Sequence, residues 1–303
     1  METAIRVENL SKHYGDTTAV NNVSFEVEEG EIFGIVGPNG AGKTTTVECI
    51  TGMRKPDGGT IAVAGLDPNR QGTELRRRIG VQLQQAALPE RLKVWEALDL
   101  YASFYEKPVD WRELMKQWGL SEKRDTRFEN LSGGQQQRLF VALALLNDPE
   151  IVFLDEITTG LDPQARRASW ELIRGIRQAG KTVVLVTHFM DEAERLCDRV
   201  AIVDRGEIIA LDSPEALVRD LDAETTVSFT TPDGFDPENL QDIPEVSSVE
   251  RDEDRVVVRG SGSLLVRVVV ALDKQGITPA DLKTGGANLE DVFLALTGRK
   301  MRD

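Results

Sequence analysis

The chain has 303 residues and a formal net charge of -15, with 40% hydrophobic and 29% charged residues. This composition is typical of globular protein, and the length predicts one large domain or two unequal domains. The acidity argues against broad attraction to nucleic acid or to anionic lipid, since both need clustered Lys and Arg. Any anionic ligand must therefore be held by a local site.

Cysteine usage and hydropathy indicate the cellular setting. Cys49 and Cys197 lie far apart and outside any Cys-x-x-Cys pattern, which predicts reduced thiols and neither a disulfide framework nor a zinc site. The first residues, Met-Glu-Thr-Ala-Ile-Arg, carry no apolar signal segment, and no apolar run approaches the ~20 residues that span a bilayer. We expect a soluble intracellular protein that reaches a membrane only through a partner.

The first 90 residues are typical of short strands separated by Gly and Asp or Asn turns. A helix is expected from about residue 43 to about residue 52, where Lys-Pro-Asp-Gly-Gly is a stop signal. The order strand, glycine loop, helix is thus predicted around residue 40. The predicted strands cover residues 4–8, 23–27, 32–36, 60–63 and 79–83.

The pattern becomes helical over residues 94–146, which predicts a helical subdomain at about 90–146. Residues 151–154 and 182–186 are continuous apolar runs of the kind found in buried parallel strands. A helix is expected between them, over residues 163–178. Parallel strands with crossover helices make this an α/β domain.

The composition changes near residue 220, where acidic residues begin to crowd the sequence up to residue 254. One more helix is expected after Pro214, followed by strands at 225–229 and 255–259 and a helix at 264–274. A last helix is predicted after Asn288, which can cap it, and Gly298 can end it. We predict a main domain over 1–220 and a small α/β accessory domain over 221–303.

A glycine-rich segment follows the strand predicted at 32–36 and matches the phosphate-loop pattern. Its glycines let backbone N–H groups point inward, and the N-terminus of the following helix favours negative charge. Lys43 can reach terminal phosphates, and the Thr44 hydroxyl can bind Mg²⁺. The candidate nucleotide-binding residues of this segment are Gly37, Pro38, Asn39, Gly40, Ala41, Gly42, Lys43, Thr44 and Thr45.

Polar side chains also follow two of the predicted buried strands. Asp155 and Glu156 end the first, and buried carboxylates are costly unless a charged partner needs them; the alternative is a pair of solvated loop acids. We expect Asp155 to hold Mg²⁺ through water and Glu156 to polarise the attacking water. His188 leaves the second strand at the same sheet edge and is the candidate γ-phosphate sensor. The predicted catalytic residues are Glu156, His188 and Lys43.

The motifs of residues 1–220 together resemble the ATP-binding subunit of an ABC transporter. Val-Gly-Pro-Asn-Gly-Ala-Gly-Lys-Thr-Thr resembles its Walker A, Leu-Ser-Gly-Gly-Gln its signature and Phe-Leu-Asp-Glu its Walker B. Gly-Leu-Asp162 resembles its D-loop, and Thr-His188 its switch histidine. The resemblance implies a P-loop NTPase with a mixed sheet core, an antiparallel β subdomain and a helical subdomain. It also implies hydrolysis of ATP to ADP and phosphate, with Mg²⁺ as cofactor.

The resemblance further implies two nucleotide contacts, and the sequence departs from the family pattern at one position. Tyr14 would stack on adenine, with a half-exposed strand-end aromatic as the alternative. A glutamine after Ile-Gly-Val would reach nucleotide and metal; Gln84 fits best, while Gln82 and Gln85 compete for the role. Ile157 stands where the family usually has proline, and we expect small effects from it. The metal ligands implied are Thr44, Gln84 and Asp155.

The signature segment explains why one chain is insufficient. Its residues open a helix running toward Leu146, so the helix N-terminus can present N–H groups to a γ-phosphate. In the family that phosphate belongs to the opposite subunit, which implies an ATP-dependent homodimer that hydrolysis releases. The residues implied to act in trans are Leu131, Ser132, Gly133, Gly134, Gln135 and Asp162.

The segment 288–298 resembles the tail of prokaryotic export ATPases of the daunorubicin-resistance, multidrug and antibiotic-efflux class. In this class the membrane permease is a separate polypeptide, so the resemblance implies permease partners and a peripheral position on the inner face of the cell membrane. The exported substrate would be a drug, an antibiotic, a lipid-like or a related molecule. The alternative is a soluble ABC-type ATPase of DNA repair or translation, but its usual extra modules do not occur and the acidity disfavours nucleic acid.

Overall fold

The computed structural model describes residues 2–84, 87–221, 224–230, 236–252 and 255–299. Contacts divide the chain into two compact units, Met1–Pro214 and Glu215–Lys300. The predicted domain boundary lies a few residues further along, after residue 220. The described helices include none that is both long and apolar enough to cross a bilayer.

The first unit begins with strands, continues through helices and ends with alternating strands and helices. Short 3₁₀ turns at Ser121–Lys123 and Phe128–Asn130 precede α5. The elements in chain order are β1 (Thr3–Tyr14), β2 (Thr17–Glu28), β3 (Ile32–Val36), α1 (Lys43–Ile50), β4 (Gly58–Val63), α2 (Gly72–Arg78), β5 (Ile79–Gln82), α3 (Val94–Ala102), α4 (Trp111–Gln117), α5 (Gly133–Ala144), β6 (Ile151–Asp155), α6 (Pro163–Gln178), β7 (Thr182–Thr187), α7 (Met190–Leu196), β8 (Arg199–Asp204) and β9 (Glu207–Asp212).

The central sheet has the strand order β5-β6-β7-β3-β8-β9. Its first five strands pair in parallel, and β9 pairs antiparallel with β8. Every residue of β3, β6 and β7 is buried, because both helices and a second sheet pack against the central sheet. The carboxyl ends of these three strands therefore meet at one edge, and the residues that follow them share one site.

A separate antiparallel sheet, with the order β2-β1-β4, packs beside the central sheet. Its strands β1 and β2 each have 12 residues, more than predicted, because the hairpin continues past the alternating apolar segment. Ile5 pairs with Val27 on one side and with Val63 on the other. The hairpin turns at Gly15, whose φ of 56° glycine adopts without steric cost. Tyr14 is thereby placed at the strand end.

The helices α3, α4 and α5 occupy the segment that the sequence predicts as helical. They bury apolar residues at helical spacing, so their polar sides face solvent. The buried residues are Val94, Ala97, Leu98 and Ala102 in α3, Trp111, Leu114 and Met115 in α4, and Leu139, Val141, Ala142, Leu143 and Ala144 in α5.

The second unit has a four-stranded antiparallel sheet of order β11-β12-β10-β13. Its separate core includes Phe229, Val258 and Val268. The predicted helix caps are present: Asn288 Oδ1 accepts from Asp291 N, and Gly298 has φ of 70°. Part of the acidic stretch lies outside the described residues. The elements are α8 (Pro214–Asp220), β10 (Thr225–Thr230), β11 (Val246–Asp252), β12 (Arg255–Gly260), α9 (Leu264–Lys274), β13 (Ala280–Gly285) and α10 (Leu289–Thr297).

A chain truncated after Asp220 is expected to fold and to bind ATP with the affinity of the full chain. The core of the first unit draws on residues between Ala4 and Leu211, and none of them belongs to the second unit. Circular dichroism and titration with a fluorescent ATP analogue, beside the full-length chain, measure the two properties. A folded truncated protein that has lost ATP binding would contradict the two-domain prediction.

Candidate active site

The phosphate-loop segment runs from the end of β3 to the first turn of α1 and is packed closely against neighbouring backbone. A Cβ atom on Gly37 would lie 2.1 Å from Val203 O, and one on Gly42 would lie 2.2 Å from Ala19 O. Gly42 also has φ of 102°. Only glycine fits these positions, so the path of the loop is fixed by its contacts with β8 and β2.

Lys43 folds back over this loop. Its Nζ donates to Gly37 O at 2.7 Å and to Pro38 O at 3.0 Å, and only 4% of the residue is exposed. Burial lowers the pKa of Lys43, and the charges of Glu156 and Asp155 oppose that shift. The ammonium therefore brings a poorly solvated positive charge to the loop, which suits it to an anionic ligand.

Asp155 lies beside the first turn of α1, at the end of β6. Thr44 Oγ1 donates to Asp155 Oδ2 at 3.1 Å, while the buried Oδ1 makes no hydrogen bond. A hydroxyl and an unpartnered carboxylate oxygen are hard oxygen ligands that fit Mg²⁺. Within the described residues, no group of three or more His, Cys, Asp or Glu side chains could hold a metal. A metal here would complete its shell with phosphate and water oxygens.

Glu156 is the residue on which the predicted catalytic side chains converge. Its Oε2 accepts from Gln84 Nε2 at 2.8 Å, and its Oε1 lies 3.2 Å from His188 Nδ1 and 3.8 Å from Lys43 Nζ. Its N donates to Val186 O at 2.9 Å, which ties the turn after β6 to β7. The φ of 51° at Glu156 is uncommon for a residue other than glycine, and such geometry persists where surrounding contacts enforce it.

The glutamines near the end of β5 differ in their surroundings. Gln84 contacts Glu156, whereas Gln82 is buried within β5 and donates to Leu83 O at 2.8 Å and to Gln137 Oε1 at 3.4 Å. Gln85 lies outside the described residues. Among the described candidates, only Gln84 reaches the predicted catalytic glutamate; its role as a metal ligand stays a prediction.

Tyr14 is 41% exposed at the end of β1. The Arg54 guanidinium lies 5.2 Å from its ring centroid and the Lys12 ammonium lies 5.7 Å from it. Arg54 is itself held by an ion pair with Glu48. These cations near the ring are not apparent from the sequence, because only the folded chain brings the turn after α1 to the end of β1. The adenine-stacking role of Tyr14 stays a prediction.

The residues predicted to act in trans lie at two neighbouring helix starts. Ser132 caps α5, where its Oγ accepts from Gln135 N at 3.4 Å and Gln135 Oε1 accepts from Ser132 N at 3.0 Å. Asp162 caps α6 and accepts from the N–H groups of Gln164 and Ala165. A Cβ atom on Gly134 would contact Leu161 and Ala165 at 3.8 and 3.6 Å. The signature segment and the D-loop residue are therefore neighbours.

The chain is similar to ATP-binding proteins of ABC transporters in sequence and in structure. The model of the family described as ABC transporter matches residues 20–159. Nod factor export ATP-binding protein I of Paraburkholderia xenovorans is 40% identical over 316 residues, covering 100% of this chain and 99% of that protein. The protein of that name in Burkholderia orbicola is 39% identical over 311 residues, covering 99% and 98%. A dimeric ATP-binding cassette in a post-hydrolysis state, bound to ADP and Pi, gives a TM-score of 0.63 at 30% identity and covers 69% of this chain and 98% of that one. The predicted fold class is confirmed.

Replacing Asp155 with Asn is expected to stabilise the nucleotide-free protein near neutral pH. Burial raises the pKa of Asp155 to about 6, so the folded state binds the proton more tightly than the unfolded chain does. The free energy of unfolding therefore falls as the pH rises from about 4 to about 6. Above that range the ionised carboxylate costs about 3 kcal/mol, and the neutral amide removes this cost.

Urea unfolding at about pH 5 and about pH 7 measures the effect, which should be larger at the higher pH. Asp16, an exposed acid, gives the matched control D16N, for which no comparable change is expected. A D155N protein less stable than the parent near pH 7 would contradict the argument.

Proposed function

This chain is an ATP-binding subunit of the ABC transporter family, and on that basis we propose that it hydrolyses ATP to ADP and phosphate to drive export through a separate membrane permease. The observation that carries the proposal is the buried carboxylate of Glu156, held between Gln84 and His188 and close to Lys43. A general base must lie within hydrogen-bond reach of the proton that it abstracts. The contacts of Glu156 hold its carboxylate beside the phosphate loop, where it would meet the attacking water.

The roles of the other residues follow from their positions. The glycine loop and the N-terminus of α1 would bind the β- and γ-phosphates through backbone N–H groups, and Lys43 would exchange its carbonyl partners for phosphate oxygens. Glu156 would orient the attacking water and accept its proton, while Gln84 and His188 fix the carboxylate. Thr44 and Asp155 would hold Mg²⁺, which neutralises phosphate charge when bound. Tyr14 would stack on adenine.

Hydrolysis would require a second copy of the chain. The start of α5, from Leu131 to Gln135, would offer its N–H groups to the γ-phosphate bound by the partner's loop, with Asp162 beside it at the shared surface. The dimeric cassette bound to ADP and Pi, similar over nearly its whole length, supports this arrangement. ATP would therefore stabilise the dimer and its hydrolysis would release the two chains.

The direction of transport and the membrane partner are supported by the relatives. Both curated proteins described above carry export in their names, and each aligns with nearly the whole chain. The chain would thus sit on the inner face of the cell membrane against a permease, with helices α3 and α4 in the region that faces it. We propose a drug, an antibiotic, a lipid-like or a related molecule as the substrate class. The daunorubicin-resistance type suggested by the tail stays a prediction, since the relatives are named for export of Nod factor.

Glu156→Gln is expected to lower kcat for ATP hydrolysis by at least ~100-fold while ATP binding and ATP-dependent dimers persist. The amide keeps the shape of the side chain but cannot accept a proton. Phosphate release and size-exclusion chromatography with ATP measure the two properties. Glu122→Gln, at an exposed glutamate, is the matched control and should keep full activity. Full activity in E156Q would remove Glu156 as the catalytic base.

The full chain, tagged and extracted from its native cells in mild detergent, is expected to co-purify with a protein that has several membrane-spanning segments. The reason is that the relatives similar to nearly the whole chain carry export in their names, and export needs a path through the bilayer. Mass spectrometry identifies the partner. Recovery with DNA or ribosomes instead would favour the alternative of a repair or translation ATPase.

A further inference from the structure

His188 rests on an aromatic ring that the proposed mechanism does not use. The ring of the next residue, Phe189, lies 4.1 Å from the His188 ring, centroid to centroid, at an interplanar angle of 39°. Phe189 N donates to Thr187 Oγ1 at 3.0 Å, which fixes the turn after β7. The orientation of the imidazole thus depends on what holds Phe189.

One face of α6 also contacts that ring. The Arg166 guanidinium lies 4.0 Å from the Phe189 ring centroid. Trp170, one helical turn further along α6, is 7% exposed and donates from Nε1 to Glu192 Oε1 at 2.9 Å. Because residues four apart share one helix face, α6 contacts both the ring and α7 through neighbouring side chains.

Glu192 is the buried anchor of this cluster. It lies in α7, which begins two residues after His188, and none of its surface is exposed. Burial raises the pKa of Glu192, and the nearby polar groups of Thr187, Trp170 and Thr158, together with the Arg166 charge, oppose that shift. Trp170 supplies the hydrogen bond to Oε1, while the buried Oε2 makes none. A fully buried carboxyl is costly to leave without partners, so its hydrogen bond to Trp170 constrains the start of α7.

We propose that Arg166, Trp170 and Glu192 are positioning residues for His188. They hold Phe189 and the first turn of α7 in place, so that His188 Nδ1 stays within reach of Glu156 during hydrolysis. The inference rests on the proposed ATPase activity and on the role of His188 in it. It assigns a functional reason to a polar cluster outside the predicted nucleotide-binding and catalytic residues.

Trp170→Phe in the full chain tests the clamp, because it removes the indole N–H and keeps an aromatic ring. We expect kcat for ATP hydrolysis to fall about tenfold, as small misplacements of catalytic groups do, while KM and the Kd for ATP change less than about twofold. A split of this kind distinguishes positioning from general loss of structure.

Trp111 provides a matched control within the same chain. It is also 7% exposed, donates from Nε1 to Asp99 Oδ1 at 3.1 Å and has the Arg112 guanidinium 4.3 Å from its ring centroid. Trp111→Phe loses the same kind of hydrogen bond far from His188 in sequence and should keep kcat within about twofold of the parent. Equal losses in the two variants, or unchanged kcat in W170F, would overturn the proposal.

A second pair of variants decides the matter if W170F does not fold. Phe189→Leu removes the ring that contacts both Arg166 and His188 and should lower kcat about tenfold, whereas Phe189→Tyr keeps the ring and should retain the parent kcat. Equal activities in these two variants would overturn the proposal. A parent chain that hydrolyses no ATP in any assay would instead refute the proposed function, so the two failures are distinguishable.

Discussion

The site depends on the burial of three charged side chains at one edge of the central sheet. Less than about a tenth of each residue is exposed, for Lys43, Asp155 and Glu156 alike. Removing each charged group from water costs several kcal/mol. One ammonium faces two carboxylates, so the three groups together carry a net negative charge when all are ionised. The charge of Glu156 adds to the burial that raises the pKa of Asp155. A divalent metal cation bound beside Asp155 would offset this negative charge. The arrangement is therefore unfavourable for stability and suited to a Mg²⁺ nucleotide.

The parallel sheet makes that concentration of charge possible. The ends of β3, β6 and β7 meet at one edge, which brings residues more than a hundred positions apart within hydrogen-bond distance, as Thr44 and Asp155 show. The loop between β3 and α1 can pass so close to β8 only because Gly37 carries no side chain. Packing and chemistry thus use the same glycines.

Sequence patterns predicted the features that depend on local signals. The uninterrupted apolar runs located β3, β6 and β7, and the glycine loop and strand-end acids located the candidate site. The strands β8, β9, β11 and β13 and the helices α2 and α7 were not predicted. The strand β13, for example, is exposed along its length and has no alternation of buried residues. The choice among the glutamines rested on family resemblance, and the contact of Gln84 with Glu156 supplies its physical basis. Glu192 could not be predicted, because its importance comes from Trp170 and Arg166 on a different helix.

The two helix starts beside the signature segment differ in a way that bears on the proposed dimer. The first turn of any helix has N–H groups without intrahelical partners. At α5 the cap is the neutral hydroxyl of Ser132, which accepts from Gln135 N over a long 3.4 Å. At α6 the carboxylate of Asp162 accepts from two N–H groups. A carboxylate at the cap repels phosphate, whereas a hydroxyl leaves the positive end of the helix dipole uncompensated. The start of α5 is therefore suited to bind the partner's γ-phosphate. The start of α6, capped by the Asp162 carboxylate, is suited to a contact with an uncharged or positively charged group.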